Sequence, residues 1–202
     1  MDHSGLVGIY LAAGRSSRLG RPKVNLRLGN RLLGGIALRE ALESKLDVTF
    51  VITRQGDPLE WLAPFSNSEG LRIIECKEAD KGQSASLRVG VMAAAETGAA
   101  GIVVLLADQP FVTTKMINQL IDEYHESEQF VAFSHHGVMK PPVLLANSLF
   151  PRIKELEGDQ GARSLLRSGC LGKQIKLNTD VYFFDVDTEE DYQFLLKNWP
   201  FL

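Results

Sequence analysis

Apolar runs and helical periodicities alternate along the first two thirds of the chain. Leu6–Leu11 (LVGIYL) and Gly101–Ala107 (GIVVLLA) are apolar at almost every position, as strands are when a parallel sheet is covered on both faces. The β-branched run Val48–Thr53 and the segment Leu71–Glu75 predict two further strands. Helices are expected around Leu32–Ser44, over Ser84–Glu96, where Leu87, Val91, Met92 and Ala95 recur at helical spacing, and over Thr113–Glu126, which opens on a threonine. The last third predicts strands at Phe130–Ser134, Pro142–Leu145, Lys173–Leu177 and Val181–Phe184, short helices at Asn147–Leu156 and Gly161–Ser168, and a closing helix at Glu189–Asn198.

Such alternation implies right-handed βαβ crossovers. The expected fold is α/β: a Rossmann-like three-layer α/β/α sandwich around a mostly parallel mixed sheet. No repeat, low-complexity tract or linker divides the 202 residues, so 1–202 reads as one domain. Ligands in these sheets sit beyond the carboxyl ends of the strands. The segments after Leu11 and after Ala107 would then share one rim.

Composition narrows the classes. A chain that is 45% hydrophobic and 23% charged builds a core, and a net charge of −3 excludes a general nucleic-acid or anionic-membrane surface. Cys76 and Cys170 have no metal-ligand spacing and read as ordinary thiols in a reducing compartment. No signal peptide or span of ~20 apolar residues is visible, so a cytoplasmic location is expected.

The candidate chemistry begins where the first strand ends. Leu11-Ala-Ala-Gly-Arg-Ser-Ser-Arg-Leu-Gly-Arg-Pro-Lys23 sets Arg15, Arg18, Arg21 and Lys23 in a small-residue loop. Small residues let a backbone approach a ligand. Free N–H groups beside fixed cations suit a polyanion such as a triphosphate. The string is neither a Walker P-loop nor G-x-G-x-x-G, and Pro22 opposes a helix directly after Gly14.

Asp108 ends a very apolar strand in Leu105-Leu-Ala-Asp-Gln-Pro110. A carboxylate there is costly unless paired or bound to metal. Mg²⁺ is typically held by one or two carboxylates plus substrate phosphates, so Asp108 is a candidate ligand; a turn cap is the alternative. The second acid is Asp185 or Asp187. Asp185 is assigned as ligand, since one of the pair, or Thr188, can cap the following helix. In Lys81-Gly-Gln-Ser-Ala-Ser86, Gly82 permits close approach and Gln83 and Ser84 offer groups that could read a base or ribose; a serine N-cap is the alternative. Gly158-Asp-Gln-Gly-Ala-Arg163 opens a helix where Asp159, Gly161 and Arg163 could meet an anionic acceptor, or form an Asp-capped turn. His3, His125, His135 and His136 form no triad. The adjacent pair His135-His136, read as strand, points to opposite faces.

Together these segments resemble the molybdopterin nucleotidyltransferases, over nearly the whole chain and in the family's order. The opening string is similar to the superfamily signature L-A-x-G, Arg, small residues, Pro-Lys. Alanine at its third position resembles the CTP-using branch, where guanylyltransferases usually have glycine. Some accessory proteins for xanthine dehydrogenase in purine catabolism are similar to the same group. Two departures stand out: Lys140-Pro-Pro-Val143 where Gly-His-Pro-Val is frequent, which puts Pro141 at the usual histidine, and Leu33-Gly-Gly-Ile36 where Pro-Leu is common.

The resemblance implies attack by a molybdopterin phosphate on the α-phosphorus of CTP, giving the dinucleotide cofactor and pyrophosphate for a client molybdoenzyme. Arg18 and Lys23 would hold the triphosphate and stabilise the leaving pyrophosphate, and Mg²⁺ would sit on Asp108 and Asp185. Leu11, Ala12, Ala13, Gly14, Arg15, Lys23, Gly82, Gln83 and Ser84 would bind nucleotide. The nucleotide part would span about 1–112 and the acceptor part about 113–202. GTP as donor, another phosphorylated acceptor, or a non-catalytic cofactor carrier are the alternatives.

Overall fold

The computed structural model describes residues 5–16, 18–166 and 169–199. Its main sheet has seven strands: β1 (Leu6–Leu11), β4 (Thr49–Arg54), β5 (Leu71–Cys76), β6 (Gly101–Leu106), β7 (Phe130–His135), β8 (Val138–Ala146) and β9 (Gly172–Lys176), in the spatial order β5-β4-β1-β6-β8-β7-β9. All neighbours pair in parallel except β8, which is antiparallel to both β6 and β7. A two-stranded hairpin, β2 (Arg27–Leu28) with β3 (Arg31–Leu32), stands apart. The α-helices are α1 (Ile36–Leu42), α2 (Gln83–Glu96), α3 (Thr114–Asp122), α4 (Phe150–Lys154), α5 (Ala162–Leu166) and α6 (Glu189–Asn198).

The three layers follow from the alternation of side chains along a strand. Val7, Ile9 and Leu11 face one core with Leu87, Val91, Ile153 and Leu165. Leu6 and Tyr10 face the opposite core with Leu38, Trp61, Ile117 and Phe183. A smaller third cluster, containing Leu28, Ile36, Phe111, Val186 and Leu195, seats α6 against the hairpin. Among the described residues no helix is long and apolar enough to cross a membrane.

Most expected elements are present within a few residues of their bounds. The strand expected at Val181–Phe184 is instead a 3₁₀ turn, Val181–Phe183, in which Phe183 N–H bonds Asp180 O at 2.8 Å. A four-residue apolar run cannot distinguish a strand from a buried turn, and here burial of Phe183 in the core decides. The helix expected from Leu32 is preceded by the hairpin and a 3₁₀ turn, Leu33–Gly35. Two-residue strands around Gly29 and Asn30 carry too little pattern to be read. The short helix read over Asn147–Leu156 is a 3₁₀ turn running into α4, and α3 stops at Asp122 rather than Glu126. Ser168, the expected end of α5, and His3 lie outside the described residues. His136 is not on a strand: it occupies the β7–β8 turn with φ +47°, and its ring centroid lies 4.1 Å from that of His135, so the two rings do not diverge.

Candidate functional site

The carboxyl ends of β1, β4 and β6 open onto a cleft of about 980 Å³. Its first wall is the basic loop. Ser16, at φ +51°, accepts from the N–H groups of Leu19 and Gly20 through its carbonyl, and its Oγ accepts from Lys23 N–H at 3.0 Å. The loop therefore folds back, and Lys23 starts a 3₁₀ turn anchored by buried Val24. The Lys23 ammonium contacts Asp108 Oδ2 and, at 3.1 Å, Asp187 Oδ1. The Lys23 and Asp108 side chains are only 14% and 15% exposed, so their attraction is screened far less than that of a surface pair. Burial works against the Lys23 charge, but the two carboxylates outweigh it and hold the amine above the ordinary lysine value.

The acidic floor comes from two distant segments. Asp108 O accepts from Val186 N–H at 3.0 Å, tying the chain before α6 to the end of β6. Buried Gln109 donates from Nε2 to Asp185 Oδ1 at 2.8 Å. Thr188 caps α6 in a capping box with Asp191. Asp187 is thus not the cap and is free to face the cleft, where Arg18 also pairs with it at 3.1 Å. Asp108 is not a turn cap either: its Oδ1 is buried without a hydrogen-bond partner. Asp108, Asp185 and Asp187 all line the cleft. The oxygen-rich donor set and the orphaned Oδ1 fit a hard divalent cation carried with phosphates rather than a preformed cage.

The opposite wall joins two motifs that are far apart in sequence, Lys81–Ser86 and Gly158–Arg163. Gly82, at φ +101°, precedes α2, and a Cβ there would lie 2.3 Å from Gly158 O. A Cβ on Gly161 would lie 2.1 Å from Gln83 Oε1. Gly82 requires glycine for the loops to close on each other, whereas a side chain at Gly161 would displace the end of Gln83. Neither Ser84 nor Ser86 caps α2. Ser84 is fully buried, its N–H donates to Gly158 O at 3.1 Å, and its hydroxyl accepts from Arg88. It turns away from the cleft, which Gln83, Ser86 and Asp159 line instead. Arg163 borders a smaller side cavity of about 200 Å³.

Leu11, Ala12, Ala13, Gly14, Arg15, Arg18 and Gly82 all border the main cleft. Sequence reasoning missed Arg54. It ends β4, donates to Ala13 O at 3.2 Å and Ala79 O at 3.4 Å, and pairs with Asp80, bracing the loop after β1. Its signal was available: a cation directly after a buried strand, on the strand beside β1.

Residues 8–175 match the family model described as the MobA-like NTP transferase domain. The chain belongs to this family. It is 39% identical over 201 residues to the purine catabolism protein PucB of Bacillus subtilis (strain 168), covering 95% of this chain and 96% of that protein. It is 31% identical to a probable molybdenum cofactor guanylyltransferase of Mycobacterium avium (strain 104), covering 97% and 98%. The crystal structure of Rv0371c from Mycobacterium tuberculosis H37Rv in complex with manganese superposes with a TM-score of 0.76, at 25% identity and covering 95% of this chain and 98% of that one.

In this MobA-like chain the acidic floor is built against its own stability. Burial, and then the negative charge of Asp108, push the Asp185 carboxyl above its ordinary value despite the Gln109 hydrogen bond. The folded state therefore binds this proton more readily than the unfolded state. Stability falls as pH rises through the window above the ordinary carboxylate value, and the loss persists at neutral pH. Asp185→Asn is expected to raise Tm at pH 7, with the gain shrinking as pH falls toward and below the ordinary carboxylate value. Thermal unfolding across this pH range measures this, and a lower Tm for the variant at pH 7 contradicts it.

Proposed function

We propose that the chain transfers a nucleoside monophosphate from a nucleoside triphosphate to the phosphate of molybdopterin, releasing pyrophosphate, with CTP as donor. The observation that carries this reading is the Lys23 ammonium held between Asp108 and Asp187 at the mouth of a small-residue loop. A mobile triphosphate and a fixed acid floor are thereby served by one cation. An acceptor phosphate oxygen would bond to the α-phosphorus while the bond to the bridging oxygen breaks and pyrophosphate departs with the electron pair. Such a transfer asks the protein for positioning and charge neutralisation rather than covalent participation. Arg15, Arg18 and Lys23 supply the charge on the leaving side. Ala12, Ala13 and Gly14 present backbone, and Gln83 stands on the opposite wall.

Asp108 and Asp185 are the residues that would hold Mg²⁺ or Mn²⁺; the buried, unpartnered Oδ1 of Asp108 supports this. Bound there, the ion would neutralise phosphate charge and orient the phosphoryl group. The manganese complex of the related Rv0371c agrees with this chemistry. The nucleotide part would span about 1–112 and the acceptor part about 113–202. The likeness to the purine catabolism protein PucB supports a purine-oxidising molybdoenzyme as client.

Ala13 supports CTP by the resemblance of the opening string to the CTP-using branch. The 31% likeness to a probable guanylyltransferase favours GTP as the second reading. Pyrophosphate release with molybdenum-loaded molybdopterin and each of CTP, GTP, ATP and UTP separates them. Release with CTP is the expected result. Release with GTP alone overturns the base assignment and keeps the reaction.

A further inference from the structure

The ladder between β7 and β8 is regular from Phe130–Leu145 to Ala132–Val143, then shifts register before Ser134–Met139. On its other side β8 pairs with β6 only from Val143 onward. Pro141 and Pro142 have no N–H to donate, so the sheet parts here. The opening leaves Lys140 out of both ladders at the rim where β6 ends.

A side cavity of about 200 Å³ occupies this opening. Leu11, Val104, Leu106 and Pro141 give it apolar walls, and Lys140 and Arg163 border it. Gln109, 1% exposed, also lines it; its Nε2 is taken by Asp185, and its Oε1 is buried without a partner. An unpaired buried acceptor is costly and calls for a donor. The cavity meets the main cleft through Leu11, Gln83, Leu106 and Asp185, yet none of the described residues among 12–23 lines it. The loop cations Arg15, Arg18 and Lys23 border the main cleft and stand outside this cavity, whereas Asp185 borders both. In an in-line displacement the incoming oxygen and the leaving group occupy opposite sides of the phosphorus.

We propose that this side cavity is the acceptor subsite, with Lys140 receiving the acceptor's phosphate and Gln109 Oε1 accepting from an N–H or O–H of its ring system. The inference rests on the transferase reading above and adds where the acceptor enters and which cation meets it. Lys140 Nζ lies 3.9 Å from Asp185 Oδ2, beyond hydrogen-bond distance. It is thus held near the acidic floor without being committed to it. The ligand class that fits is a phosphomonoester of a flat, N–H-bearing heterocycle.

The test is binding of metal-free molybdopterin to the whole protein, followed by its fluorescence, beside calorimetric binding of CTP with Mg²⁺. Lys140→Ala is expected to weaken molybdopterin binding roughly tenfold or more, the loss of one charge-assisted contact. CTP binding should change less than about twofold, and Lys140→Arg should restore most of the molybdopterin affinity. Molybdopterin affinity unchanged in Lys140→Ala, or CTP affinity falling in parallel, overturns the subsite. Wild-type protein that binds CTP but no molybdopterin overturns the acceptor reading itself, and the subsite with it.

Discussion

Asp108→Asn is expected to lower turnover by on the order of 10²–10³ or more, a loss typical when a group that stabilises developing charge is removed. The folded protein should survive the change. Lys23 keeps Asp187 as a partner, and the Val186 anchor uses the Asp108 backbone carbonyl rather than its side chain. Calorimetric Mn²⁺ binding in the presence of nucleotide should weaken in step with turnover, while Tm shifts by no more than a few degrees, the effect of about 1 kcal/mol in a domain of this size. Near-normal pyrophosphate release at saturating metal would show that Asp108 has no part in metal binding. A collapse of Tm would instead assign it a structural role.

Lys23→Ala carries a two-sided expectation. Turnover should again fall by on the order of 10²–10³, because the cation nearest the acidic floor is lost. Metal binding to the nucleotide-free protein should move the other way. In the wild type the ammonium already neutralises Asp108 and Asp187, so an incoming divalent ion competes with it. Removing it leaves Asp108 uncompensated beside Asp187, which keeps only Arg18, and affinity for Mn²⁺ should rise roughly tenfold. Because the amine lies above the ordinary lysine value, the contact is intact across the neutral range. It weakens only as pH rises past that value. Electron paramagnetic resonance of Mn²⁺ with the free protein reads the affinity directly, and an unchanged or weaker affinity would show that lysine and metal do not compete.

Much of this site was legible before the fold was known, for a physical reason. Continuous apolar runs mark strands buried on both faces, and in a parallel sheet the residues that follow such runs fall on one rim. That places Leu11–Lys23 beside Asp108 without any knowledge of side-chain packing. Thr188 and the bounds of α6 were legible because a capping box is local chemistry. What depends on non-local packing was not. Ser84 looks exposed in a polar string, but the docking of Gly82 against Gly158 buries it. Gln109 reads as an ordinary turn residue until the chain before α6 brings Asp185 to its Nε2. Val181–Phe184 has a strand's composition, and only the depth of Phe183 in the core makes it a turn. Sequence alone leaves the role of Asp187 open, because alternation along an expected strand gives it the same face as Asp185. The segment is irregular, and Lys23 and Arg18 fix its direction.

The most direct test of the account is the mass of the product formed from molybdopterin, Mg²⁺ and CTP by the wild-type protein. The account predicts molybdopterin heavier by one cytidylyl group, that is, cytidine monophosphate less water, formed in equal amount with pyrophosphate and more slowly by on the order of 10²–10³ with Asp108→Asn. Unmodified molybdopterin, from protein that binds both CTP and the pterin, would contradict transfer and make the chain a carrier.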